Sequence, residues 1–151
     1  MFIKKLDLKE NKKTIMDFFY NVFTKEPWCD DWSDENQLNS YIEDLAGQSN
    51  SLNYGFFEET GEMLGLALGS IRHWFQGTEY HVDEFCVRID VQGKGIGTSF
   101  MEAIQKEVLE MKIKRIYLET DLHAPAFEFY KKRGFVYLQD HVALSKNLVS
   151  L

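Results

Sequence analysis

Between Gln92 and Gly97 the chain reads Gln-Gly-Lys-Gly-Ile-Gly, three glycines at alternate positions. The apolar run before it (Phe85, Cys86, Val87, Ile89) suits a strand. After it, Phe100, Met101, Ile104, Val108 and Met111 recur at three- and four-residue spacing, which makes one apolar helix face. Strand, glycine turn and helix together can hold phosphate. Glycine reaches backbone conformations closed to other residues and lets a ligand come close. The N–H groups of the first helical turn, helped by the helix dipole, then point at the anion. The spacing is neither the G-x-x-x-x-G-K-[ST] of a P-loop nor G-x-G-x-x-G. A second stretch, Glu26-Pro27-Trp28-Cys29-Asp30-Asp31-Trp32, mixes acids with tryptophans. That mixture can hold an amine by charge and cation–π contact; the alternative is that the tryptophans are buried anchors.

The elements that would position these residues follow from patterning. Residues 2 to 8 read as a short strand, and Ile15, Phe18, Phe19, Val22 and Phe23 mark an amphipathic helix from 11 to 25. Ser33 suits an N-cap with Asp34 and Glu35 in the first turn, and Leu38, Tyr41, Ile42 and Leu45 give the next helix its stripe up to Gly47. Tyr54 to Phe57 and Met63 to Trp74 read as strands, and Gln76-Gly77 as the turn into the strand that ends at the glycine loop. Arg115 to Thr120 reads as another strand, and Pro125 opens a helix that closes near Gly134. Two short strands are expected over 134–139 and 141–147. The class is α/β (α+β), a mixed, mostly antiparallel sheet of six to seven strands flanked by about four helices.

At 151 residues a single domain, 1–151, is expected, large enough to bury about two-thirds of its surface. The net charge of −7 argues against non-specific nucleic-acid binding and suits a cationic partner. Cys29 and Cys86 have no metal or redox spacing, so no metal is expected, and Cys86 reads as a small core residue. The N-terminus alternates like a strand rather than a signal peptide, and no apolar run approaches the ~18 residues of a membrane span. The expectation is a cytoplasmic protein with no membrane contact.

Two motifs carry a resemblance. Gln92 to Gly97 resembles the Q-x-x-G-x-G pyrophosphate loop of the GCN5-related N-acetyltransferase (GNAT) family. Ala126-Phe127-Glu128-Phe129-Tyr130-Lys131-Lys132-Arg133-Gly134-Phe135 is similar to that family's A-x-x-F-Y-x-K-x-G-F. The motifs come in the family's order and spacing, and the likeness covers roughly 54 to 148. The acid–tryptophan loop looks like that of small-molecule acetyltransferases, including aminoglycoside 6′-type enzymes.

The resemblance implies acetyl-CoA as cofactor and direct attack of an amine on its thioester, without a covalent enzyme intermediate. An alkyl amine of pKa about 10.4 is neutral in only about one molecule in 2,500 at pH 7, a penalty of about 4–5 kcal/mol. A proton acceptor is therefore useful, and so is a donor to the leaving thiolate. By the resemblance, Gln92, Gly93, Lys94, Gly95, Ile96, Gly97 and Thr98 surround the pyrophosphate, and Phe85, Cys86 and Val87 offer main-chain hydrogen bonds to the pantetheine arm. Tyr130 matches the tyrosine beside the coenzyme sulfur, and Phe127 is core or lines the cofactor. Counting back from Gln92, the place of the family's glutamate base falls on His81. Asp83 shares its strand face by period two, as base or as a carboxylate for a cationic acceptor, whereas Glu84 points to the other face.

One departure is Ala124, where the family often has an asparagine that contacts the coenzyme. Glu26, Trp28, Asp31, Trp32 and Asp83 are the candidate acceptor-binding residues, and His73, Trp74 and Tyr80 could line the same cleft. The acceptor expected is a small-molecule amine. Acetylation of a protein N-terminus or lysine, or a degenerate acyl-CoA-binding module, stay open. Analogy also leaves room for a homodimer through the C-terminal strands.

Overall fold

A computed structural model describes residues 1–150. The chain forms two compact units, Met1–Glu119 and a second that begins at Thr120. In the first unit the order is β1 (Phe2–Leu6), α1 (Leu8–Phe23), α2 (Glu35–Ala46), β2 (Asn53–Phe57), β3 (Met63–Trp74), β4 (Gly77–Val87), a 3-10 turn (Ile89–Val91), α3 (Ile96–Glu110) and β5 (Arg115–Leu118). The second unit holds α4 (Pro125–Lys131).

Local chemistry sets the helix starts. The Asp7 side chain accepts from the N–H groups of Lys9 (2.9 Å) and Glu10 (3.3 Å) and caps α1. Asp34, one residue beyond the expected Ser33, caps α2 by accepting from Asn36 and Gln37. The apolar stripes then decide the packing. Ile15, Phe19, Val22, Leu38 and Ile42 bury against Leu66, Leu68 and Cys86, so α1 and α2 cover one face of the sheet. Phe100, Ile104 and Val108 of α3 bury against Tyr54, Phe56, Ala67, Tyr80 and Val82 on the other.

The sheet runs β1-β2-β3-β4-β5, antiparallel except for the parallel β4–β5 pair. Two features of its register shape the site. The β4–β5 ladder covers only Glu79↔Arg115 to Val82↔Leu118, although β4 continues to Val87. Between β3 and β4 the pairing skips a residue: Gly69 faces Val82 but Leu68 faces Glu84, so Asp83 is an extra residue in a bulge.

Gly69 is what lets the strands close at this bulge. A Cβ there would lie 2.3 Å from the His81 carbonyl oxygen and 2.6 Å from the Tyr80 ring. Gly69→Ala is therefore expected to destabilise the fold by about 1–3 kcal/mol, as overpacking does. A melting point unchanged from wild type would show that the strands part there at no cost.

The expected elements are present through α4, but the sheet has five strands rather than six or seven. Residues 134–150 form no strand. Instead the chain turns on itself, Phe135 N–H donating to the Tyr130 carbonyl and His141 N–H to that of Leu138 (both 3.1 Å). Val136, Val142 and Leu144 stay exposed. Alternation selects a strand only where a ladder partner and an apolar face receive it, and this segment has neither.

Candidate active site

The glycine turn opens α3. Gly95 is the helix N-cap, at φ +83°, and Gly93 sits at φ +74°, both in the left-handed region that glycine occupies without strain. Gly95 has no side chain to cap the helix, and the N–H groups of a helix's first turn have no intrahelical acceptor. No atom lies within 4 Å of where a Cβ on Gly93 or Gly95 would project. The turn is thus open rather than packed shut, and its backbone donors fit a diphosphate.

Side chains brace this turn from behind. Gln92 Nε2 donates to the Val87 carbonyl at 3.0 Å, and Lys94 Nζ donates to the Asp90 carbonyl at 3.0 Å. Arg88 holds the Asp90 carboxylate through Nε (2.6 Å) and Nη2 (3.1 Å). Gln92 therefore ties the loop to the end of β4, and Lys94 ties it to the 3-10 turn. Cys86 is buried, and burial pushes its thiol pKa up, as expected of a core residue rather than a nucleophile. Phe85 stacks on Phe100 at 5.2 Å, beneath the start of α3.

The β4 bulge rearranges the acids. Before it, Tyr80 and Val82 face α3; beyond it, Phe85 does, while Cys86 joins the α1–α2 side. Period-two counting places Glu84 away from His81, and the structure corrects this. The extra residue Asp83 resets the alternation, so His81, opposite Ser70, and Glu84, opposite Leu68, share the α1–α2 face.

Glu84 accepts a 2.5 Å hydrogen bond from Tyr41 Oη of α2. Burial raises its carboxyl pKa, and the charges of Asp83 and Asp30 raise it further against the Tyr41 hydrogen bond. Burial also raises the Asp83 carboxyl, opposed by the positive charges of Arg72 and His81. Tyr41 is pushed up by burial and by Glu84, with Asp83 and Asp30 adding to it. Three carboxylates and a phenol therefore share one field.

The acid–tryptophan loop packs beside Tyr41. Trp32 stacks on Tyr41 (5.1 Å) and meets the edge of Phe19 (5.5 Å), and its buried Nε1–H has no hydrogen-bond partner among the described residues. Trp28 is half-exposed and edge-on to Phe23 at 5.2 Å. Asp31 accepts from the Ser33 N–H at 3.0 Å, and hydrogen bonding by the Ser33 side chain and then its backbone lowers the carboxyl pKa, so Asp31 braces the turn. Asp30, not Asp31, is the loop acid whose charge reaches Glu84 and Tyr41. Glu26 is exposed. Tyr80 does not line the cleft: it is buried on the α3 side, where its hydroxyl donates to the Leu52 carbonyl at 2.9 Å.

In the second unit Tyr130 is buried, with its ring edge-on to Phe129 (5.2 Å) and Phe135 (5.3 Å). Phe127 meets Tyr137 (5.6 Å) and carries the Lys131 ammonium over its face at 4.6 Å. Ala124 is the N-cap of α4, where it offers no side-chain cap. Sequence reading missed Tyr41, taken only as part of a helix stripe, and Glu79. A tyrosine in an otherwise aliphatic stripe was the available signal for the first.

Among the described residues no group of three or more His, Cys, Asp or Glu side chains could hold a metal ion. No described helix is long and apolar enough to cross a membrane.

Comparison with known proteins agrees with this architecture. The model of the "Acetyltransferase (GNAT) family" matches residues 13–135, most of the chain. The chain belongs to the GNAT family and is, as a member, an acetyltransferase. Among the described residues, its mixed five-stranded sheet and four α-helices are that family's fold. No curated protein matches it.

Among solved structures it is similar to an aminoglycoside acetyltransferase from an uncultured soil metagenomic sample, in complex with sisomicin. The TM-score is 0.72 at 16% identity, covering 97% of this chain and 95% of that one. AAC(6')-Iy in complex with the bisubstrate analogue CoA-S-monomethyl-acetylneamine gives 0.72 at 12% identity, covering 96% and 97%. An integron cassette protein from the V. cholerae mobile metagenome gives 0.77 at 19% identity, covering 96% and 91%. At these identities the likeness is one of fold.

Proposed function

We propose that the protein transfers an acetyl group from acetyl-CoA to a primary amine of a cationic small molecule, by direct attack in a ternary complex. The observation that carries this reading is the single face on which the β4 bulge sets His81 and Glu84 together, with Asp83 in the bulge between them and Tyr41, Trp32 and Asp30 beside it. Ionised carboxylates in a partly dry cleft are stabilised by an ammonium partner, and the aromatic faces add cation–π attraction. Two of the structural relatives are, by name, an aminoglycoside acetyltransferase and a complex with a CoA-linked neamine.

The backbone of Gly93 to Thr98 would hold the coenzyme diphosphate, and the end of β4 its pantetheine arm. Bound acetyl-CoA supplies the activated acyl thioester. His81 would take the proton from the ammonium, Asp83 and Glu84 would hold and orient the cation, and Tyr130 would donate its hydroxyl proton to the departing sulfur. No residue needs to form a covalent bond to the acyl group.

Thiol release from acetyl-CoA, measured against polyamines, aminoglycosides, amino acids and short peptides, tests the reading. Turnover with non-peptide amines is expected. Turnover with peptides alone would move the acceptor to proteins, and coenzyme binding without turnover would leave an acyl-CoA-binding module.

Glu84→Gln gives a narrower check. The raised carboxyl pKa means that the folded state holds a proton more readily than the unfolded chain, so stability falls as pH rises through that range. An ionised Glu84 therefore costs the folded protein, while glutamine can still accept from Tyr41. At neutral pH the substitution is expected to keep or raise the melting temperature and to raise KM for the amine about tenfold, ~1.4 kcal/mol. An unchanged KM would remove Glu84 from the acceptor site.

A further inference from the structure

Glu79 lies one strand step from His81 on the same face of β4, opposite Arg72 of β3 and beside Arg115 of β5. Its side chain is only 5% exposed. A buried carboxylate is tolerated only when its lone pairs are met, and here each oxygen has its own partner. Arg115 Nη2 donates to Oε1 at 2.6 Å, and His81 Nε2 lies 3.0 Å from Oε2. The Arg115 guanidinium is itself held 5.0 Å over the Trp74 ring. Tyr117 of β5, opposite His81, packs its ring on the imidazole at 4.7 Å and 34°. The imidazole is thus fixed at one nitrogen and on one face.

We propose that Glu79 is the positioning residue for proton abstraction: its Oε2 selects the Nε2-protonated tautomer of His81, so that Nδ1 is the atom that accepts the ammonium proton. An ionised carboxylate has no proton to give, so the shared hydrogen in the Glu79–His81 contact belongs to His81. The charge state of Glu79 follows from its surroundings. Burial pushes its carboxyl pKa up, but the hydrogen bonds and charges of Arg115 and His81 outweigh that, and the net direction is down.

Nδ1 is then the lone pair left open, since no protein group among the described residues hydrogen-bonds to it. In the proton transfer, the N–H bond of the ammonium breaks and an Nδ1–H bond forms. The positive charge moves to the ring, where Glu79 stabilises it through Nε2. Besides Glu79, the charged and titratable groups around the ring are Asp83 and Glu84 on β4, Arg72 on β3, Arg115 and Tyr117 on β5, and Glu119 just beyond β5. The inference rests on His81 being the base.

The test is the two-bond 1H–15N correlation spectrum of the full chain labelled at histidine nitrogen, recorded with the ring neutral. Wild type is expected to show His81 protonated at Nε2. In Glu79→Gln, Arg115 keeps the amide oxygen, so the amide NH2 faces the ring and the proton is expected to move to Nδ1. kcat is then expected to fall about 10- to 100-fold while KM for the amine and the coenzyme Kd stay within about twofold.

A merely structural Glu79 would move neither the tautomer nor kcat separately from KM. Wild-type His81 protonated at Nδ1 overturns the proposal, even if Glu79→Gln fails to fold. So does a Glu79→Gln enzyme with the wild-type tautomer and kcat. If the tautomers behave as expected but His81→Ala keeps the wild-type pH–rate profile, the base reading falls. The catalytic half of the proposal then falls with it.

Discussion

Gly95→Glu is expected to abolish coenzyme A binding, raising Kd about 100-fold or more, while the protein still folds. Three effects act together. At φ +83° any side chain costs about 1–3 kcal/mol of backbone strain. The new side chain enters the open space in which the diphosphate would lie. Its charge also competes with the diphosphate for the same first-turn N–H groups, whose dipole favours one anion there, not two. That competition separates a binding defect from a folding defect, because a carboxylate at a helix N-terminus supports the helix. Gly95→Ala isolates the strain and is expected to weaken binding only about tenfold. Calorimetric titration with coenzyme A decides the matter. Wild-type affinity in Gly95→Glu would place the diphosphate elsewhere and remove the basis for the acetyl-CoA reading of this turn.

Tyr130→Phe is expected to lower kcat about 10- to 100-fold and to leave coenzyme affinity within about twofold. The ring is held by the edges of Phe129 and Phe135, contacts that phenylalanine keeps. What is lost is one hydroxyl. A donor that serves the leaving sulfur acts mainly as the thiolate forms, and interactions confined to that moment change kcat rather than ground-state binding. Steady-state rates with acetyl-CoA and a good amine acceptor, together with a direct coenzyme titration, separate the two quantities. A wild-type rate would take the acid role away from Tyr130 and leave solvent to protonate the thiolate.

Both predictions rest on features that are local in the chain. The turn Gly93–Gly97 between an apolar run and an amphipathic helix is visible without a structure, because glycine spacing and helical periodicity are properties of neighbouring residues. The same holds for α1, for β3 over its full length from Met63 to Trp74, and for the aromatic motif around Tyr130.

The acid face of β4 is different. Period-two counting assumes an unbroken ladder, and the ladder breaks at Asp83 because of what β3 places opposite, above all the missing side chain of Gly69. Nothing near Glu84 in sequence says that it will turn toward His81 and find Tyr41 of α2, 43 residues away. Glu79 shares the face of His81 by simple alternation; what the local sequence does not show is its second partner, Arg115, 36 residues on.

The C-terminal segment shows the opposite failure. Phe135, Tyr137, Val142 and Leu144 alternate as strand residues do, yet residues 134–150 contain no strand. Alternation states which side a strand would bury; only a hydrogen-bonding neighbour makes the strand. The chain's own order of residues therefore settled the glycine turn, the helices and the family motifs, all of which depend on spacings within about one helical turn or strand. The tertiary structure alone decided which carboxylates meet the imidazole, because a one-residue slip between paired strands changes the face of every side chain beyond it.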